Sequence, residues 1–152
     1  MADNPWLPVD LGELCMALDD ASAEHSWYLD LESGEVLFFA SDMEDQAELE
    51  ERLDASPDRY ERVPAVESWE AYRDMEDFIE TIRDSHLTEL LEVAIAGSGA
   101  FRRFKDVLAR FPEERERWFG FKNQRLKDRA LEWLEEIGVA LSDDSTGDER
   151  RA

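Results

Sequence analysis

Apolar residues return every three or four positions along most of this chain and alternate clearly in one place only. The alternation lies in Ser26-Trp27-Tyr28-Leu29-Asp30-Leu31, followed by Ser33-Gly34 and then Glu35-Val36-Leu37-Phe38-Phe39-Ala40. Two β-rich runs about a Gly-containing turn predict a hairpin. Trp27, Leu29 and Leu31 share one side of the first run. The second run is apolar on both sides, which predicts cover on both. Tyr60-Glu61-Arg62-Val63, stopped by Pro64, reads as a third short strand able to join the hairpin.

Helical spacing organises the rest. Asp10 predicts an N-cap for a helix from Leu11 to about Ala21, with Leu11, Leu14, Cys15 and Leu18 inward. Ser68 predicts the cap of a helix from Trp69 to Arg83 that turns Tyr72, Met75, Phe78, Ile79 and Ile82 to the core. Asp84-Ser85 starts a further helix over about His86–Ala96, with Leu87, Leu90, Leu91, Ala94 and Ile95 as its stripe. Gly97 suits the left-handed position that ends it, and Ser98 is placed to cap the next. That helix, Gly99 to about Arg110, puts Phe101, Phe104, Leu108 and Phe111 on one stripe. Pro112 opens the last helix, where its missing N–H does no harm, and Gly138 ends it after Ile137. Its apolar face reads Phe119, Leu126, Ala130, Trp133, Leu134 and Ile137. Asp42 to Asp54 reads as a solvated acidic connector, with a short exposed helix through Leu49 and Leu53 as the alternative.

These elements predict an α+β fold. A small antiparallel sheet, the hairpin 26–40 plus a strand near 60–63, packs against a bundle of about four to five helices. One globular domain is expected over 10–138, between an irregular stretch 1–9 and a polar, frayed tail 139–152.

Charge sharpens this picture. The chain has 152 residues and a net charge of −22. The acidic excess belongs to the first two thirds, where residues 1–100 hold 27 Asp/Glu against 5 Lys/Arg. Residues 101–137 reverse it, with 10 Lys/Arg against 8 acids. Such a surface disfavours nucleic acid and anionic membrane as general partners. It suits a basic protein partner, or simply keeps the chain in solution. Cys15 is the only cysteine, so no internal disulfide forms, and its apolar neighbours mark it for packing. The N-terminus carries neither a basic run nor a long apolar core, and no stretch is apolar enough to span a bilayer, so a cytoplasmic protein is expected.

Five stretches together resemble the bacterial Uncharacterised Protein Family 0158. They are Trp27 to Val36, Arg59-Tyr60 with Val63-Pro64, Met75 to Ile79, Gly99 to Leu108, and Arg129 to Leu134. The resemblance spans roughly residues 10 to 138. It implies an intact domain of bacterial origin and brings no activity with it.

The residues offer little chemistry of their own. Asp74, Glu76, Asp77 and Glu80 sit at helical spacing, as acid–base or metal work would need, but so acidic a chain produces such pairs by chance. His25 and His86 belong to no metal-ligand spacing, and no Gly-x-Ser-x-Gly nucleophile pattern occurs. No catalytic residue, metal or cofactor is therefore expected. The Gly97-Ser98-Gly99 turn, opening a helix with Arg102, Arg103 and Lys105, is the best small-anion candidate, though it lacks both phosphate-binding glycine patterns. Lys122 and Arg125 extend the cationic set of possible anion or partner contacts into the last helix. An internal use is also open, in which these cations hold the acidic helix at 69–83. The expectation is a non-enzymatic protein-binding or regulatory module. The alternatives are a nucleic-acid-associated protein using the basic 99–129 helices, and an enzyme or binder of a phosphorylated small molecule at the Ser98 turn.

Overall fold

The computed structural model describes residues 6–40, 44 and 46–141. In chain order the elements are β1 (Trp6–Leu7), α1 (Leu11–Asp19), β2 (His25–Asp30), β3 (Val36–Ala40), α2 (Gln46–Ala55), β4 (Tyr60–Arg62), α3 (Ser68–Ile79), α4 (Ser85–Ala94), α5 (Ala100–Leu108), α6 (Pro112–Glu136) and β5 (Ala140–Leu141). The fold is α+β. Among the described residues the helices number one more than expected, because the acidic stretch after the hairpin coils into α2. The chain forms two compact units, one ending at Val66 and resuming at Leu126, the other Glu67–Arg125.

In the first unit the expected hairpin forms. Strand β2 pairs antiparallel with β3, Trp27 facing Phe38 and Leu29 facing Val36. The third strand adds on the other side, so the sheet order is β3-β2-β4, with Tyr28 opposite Arg62. Leu37 and Phe39 are buried and Val36 and Phe38 half-buried, which gives β3 cover on both sides. Gly34 is required in the connecting turn. Its φ is +85°, and a Cβ there would meet Pro8 at 3.2 Å. Asp10 caps α1 as expected, accepting from the Glu13 N–H at 3.1 Å. The core gathers Val9, Leu14 and Leu18 around α1, Leu29 and Val63 of the sheet region, and Leu126, Ala130 and Leu134 from the second half of α6. Parts of the stretches 1–9 and 139–152 are more ordered than expected. Residues 6–7 and 140–141 form a parallel pair, too short to show any sequence period. Residues 142–152, where the frayed tail was expected, lie outside the described residues, as do 42, 43 and 45 of the acidic stretch.

The second unit is helical. Ser68 does not cap α3; Glu67 does, and its N–H is accepted by Glu70 Oε1 at 3.0 Å. The helix ends at Ile79, four residues earlier than its spacing suggested, where Thr81 and Ile82 turn back onto the carbonyls of Phe78 and Ile79. Ile82 stays buried from that turn. Asp84 caps α4 through bonds from the His86 and Leu87 N–H groups at 2.9 and 3.3 Å. The core centres on four rings. Trp118 meets Phe104 at 4.9 Å and Phe78 at 5.3 Å between centroids, mostly edge to face, and Phe121 lies 5.5 Å from Phe78.

Two aromatic assignments are corrected here. Phe101 is 43 % exposed and Phe119 41 % exposed. On α5 the core takes the residue four before Phe104, which is Ala100, rather than three before. On α6 the core of the second unit takes Trp118 rather than the adjacent Phe119. Both spacings on α5 satisfy a helix of 3.6 residues per turn, so periodicity alone could not choose.

Candidate functional site

The basic–aromatic stretch divides by use. Gly99, at φ +78°, is the N-cap of α5 and makes no side-chain cap bond, so Ser98 does not cap this helix. Ser98 is exposed, and its carbonyl accepts from Arg103 instead. The Arg103 guanidinium donates to three carbonyls beyond the last turn of α4 or within it: Nε to Ala94 at 2.9 Å, one terminal nitrogen to Ala96 at 2.6 Å and the other to Ser98. Helix ends leave such carbonyls without intrahelical donors, so this cation closes the α4–α5 corner. Tyr72 adds a donor to the Ile95 carbonyl at 2.8 Å.

Arg102 and Lys105 stand differently. Both are exposed on α5, on the arc that also carries the exposed Phe101. Lys122 is half-buried on α6. Arg125 is used internally, as the sequence left open: its two terminal nitrogens reach Asp74 and Asp77 of α3 at 3.0 Å each. Asp74 is 4 % exposed. Two of the four carboxylates singled out there, Asp74 and Asp77, thus pair with Arg125, which also covers the Phe121 ring at 4.7 Å. Of the six predicted contacts, Ser98 and Arg103 come together at a helix end, Arg125 is engaged with α3, Arg102 with Lys105 face outward, and Lys122 is half-buried on α6.

The first unit holds two polar clusters that sequence reading missed. Asp30, 1 % exposed, accepts from Arg59 in a bidentate pair, at 2.9 Å from Nε and 2.8 Å from a terminal nitrogen. It also accepts from the N–H groups of Glu32 and Ser33, which shapes the hairpin turn. Arg59 holds the Asp30 carboxyl well below the usual carboxylate range, against the opposing effect of burial. Both residues stand in stretches that carried the family resemblance, but 29 positions separate them and no spacing rule connects them.

The second cluster surrounds Asp20, the residue that ends α1. Its Oδ2 lies 2.7 Å from His25 Nδ1 and accepts from the Trp27 indole at 2.8 Å, while Oδ1 accepts from the Ser22 N–H at 3.1 Å. Partial burial pushes its pKa up, but the bonds from Trp27, Ser22 and His25 outweigh this, and the net shift is downward. An acid at a helix C-terminus runs against the dipole, and that misfit was the only sequence signal here. Cys15 is half-buried, and burial above all pushes its thiol up, away from the reactive thiolate. Among the described residues no group of three or more His, Cys, Asp or Glu is arranged to hold a metal ion, and no helix is long and apolar enough to cross a membrane.

Fold and side chains together define a small α+β protein whose buried charges are paired within each unit. The chain matches the Uncharacterised protein family (UPF0158) over residues 4–145 and belongs to it. A UPF0158 protein of Pseudomonas aeruginosa is 32 % identical over 133 residues, covering 88 % of this chain and 85 % of that one. UPF0158 proteins of Chlamydia trachomatis and Chlamydia pneumoniae are each 28 % identical over 134 residues, 86 % of this chain. The match spans 40 % and 41 % of those longer proteins, respectively. No solved structure matches the chain.

Proposed function

We propose that this protein is a non-enzymatic protein-binding or regulatory module whose acidic face, led by α2, receives a basic surface of a partner protein. The observation that supports this reading is α2 itself. It buries none of its residues, yet holds ten in a helix with Glu48, Glu50, Glu51 and Asp54 exposed. A helix polar nearly all round adds little to a core. On its open surface Glu48, Glu51, Arg52 and Ala55 surround the half-buried Leu49, so carboxylates border an apolar position. A basic partner segment with one apolar anchor complements that surface.

A second reading, association with nucleic acid, draws on α5. Phe101, Arg102 and Lys105 share an exposed arc, where a ring beside two cations suits a base and its phosphates. The turn at Ser98 supports no third reading, because the Arg103 guanidinium beside it is spent on carbonyls.

One experiment separates the two. Tagged protein is used for capture in wild-type form, as Glu48→Gln/Glu50→Gln/Glu51→Gln/Asp54→Asn, and as Arg102→Ala/Lys105→Ala. The protein-binding reading expects a discrete protein that the first variant loses and the second retains, released as salt rises. Co-purifying nucleic acid lost only with the second variant would replace it by the alternative. Equal capture by all three forms would remove support from both.

A further inference from the structure

We propose, building on the reading of α2 as an acidic receiving face, that the exposed arc of α5 is a docking surface for α2 of a second copy of this chain. Helix α5 is sharply two-sided. Ala100, Phe104 and Leu108 are buried, and Arg103 is turned to the carbonyls at the end of α4. Phe101, Arg102 and Lys105 stand on the other side, exposed. Among the described residues neither Arg102 nor Lys105 is in an ion pair, and Phe101 packs against no other ring. This arc is a basic helical segment with one apolar anchor, the complement that the α2 surface lacks within its own unit.

The two helices also match in spacing. Arg102 and Lys105 are three residues apart, as are Glu48 and Glu51, and such pairs stand about 5–6 Å apart on a helix surface. With α5 lying along α2, both cations meet carboxylates at once, and the Arg102 fork suits a bidentate pair. Phe101 supplies the apolar contact to Leu49 and Ala55. Glu48 and Glu51 are exposed and, among the described residues, in no ion pair, so the contact displaces none. The single cation of α2, Arg52, is drawn toward Tyr60, with a bond to its hydroxyl at 3.4 Å. The single acid of α5, Asp106, lies at the edge of the arc away from Phe101.

Two copies of charge −22 repel at long range, and that sets the conditions under which they meet. At physiological salt, charges more than about 8 Å apart are largely screened, so the distant acids fade while ion pairs at the contact persist. Association is therefore expected to grow from low to physiological salt and to fall again near about 1 M, where the contact pairs are screened as well.

Sedimentation velocity on the full chain, over a dilution series at physiological salt, tests the proposal. Wild type is expected to associate in a concentration-dependent way. Glu48→Gln/Glu51→Gln lacks the acidic half of the contact and Arg102→Gln/Lys105→Gln the basic half. Each alone is expected to associate about tenfold or more weakly. All four positions are exposed, so the core is untouched. The deciding sample is an equal mixture of the two variants. It retains α2 on one partner and α5 on the other, so a mixed pair is expected to form, and its recovery also shows that both variants are folded. A monomer at every concentration, unchanged association in both variants, or a mixture that behaves as its separate parts overturns the proposal. None of these results touches the α2 reading itself, for which the capture experiment then decides between a different basic protein on α2 and nucleic acid on α5.

Discussion

The Asp30–Arg59 pair shows how much can rest on two side chains. Asp30 is almost fully enclosed, so its charge is tolerable only with Arg59 and the turn N–H groups bonded to it. Arg59→Ala would leave that carboxylate buried without its partner, at a cost of about 3–5 kcal/mol. Urea unfolding should show the loss as a lower midpoint with an unchanged slope. The pH dependence follows from the sign of the shift. Because the folded pKa lies below the unfolded value, near 3.9, the pair's stabilisation is complete above that value and fades as pH falls toward the folded one. In wild type the acid limb should therefore persist below pH 4. In Arg59→Ala, where burial is opposed only by the bonds from Glu32 and Ser33, it should begin at higher pH. An unchanged acid limb in the variant would show that other carboxylates set it.

At the scale of elements, the hydrophobic pattern gave away most of the fold and little of the polar chemistry. The hairpin was legible because alternation, a Gly turn and a second β-rich run agree. The starts of α1, α4 and α6 were legible from Asp10, Asp84 and Pro112, each a local rule acting on its own helix. The start of α3 was less so, because Glu67 can cap only in concert with Glu70. The ambiguity between three and four residues back placed Phe101 wrongly, and the adjacent Phe119 hid Trp118. The Asp30–Arg59 pair was illegible, since it joins positions 29 apart, whereas for Arg125 the charge pattern left open a hold on the acidic helix without singling out Asp74, 51 positions away, as its partner. The corrected packing of α5 makes a paired prediction. Phe104→Ala, at a site 1 % exposed among Phe78 and Trp118, should cost about 3–5 kcal/mol. Phe101→Ala, three residues earlier and 43 % exposed, should cost under about 1 kcal/mol. Equal losses in thermal unfolding would restore the stripe the sequence first suggested.

For the whole molecule, charge is the dominant feature. A net charge of −22 on 152 residues sets many like charges against one another. The ion pairs that hold the interior involve Asp30 and Asp74, which are buried and weakly screened, whereas α2 and most other acids face solvent. Added monovalent salt should therefore relieve repulsion more than it weakens attraction. The expected outcome is a Tm that rises by a few degrees between low and physiological ionic strength, read by differential scanning calorimetry. The α2 charge-neutralised variant should show a smaller rise. A Tm that falls with salt would mean that surface attraction outweighs repulsion in this molecule.

The guanidinium of Arg103 closes a corner whose acceptors all lie within nine residues of it along the chain. Bringing such near neighbours together sacrifices less chain freedom, by about 1 kcal/mol, than uniting residues 29 apart. The α4–α5 corner is therefore suited to take shape early in folding, as a nucleus on which later, more distant contacts condense, while the strap between Arg59 and Asp30 is fastened after it.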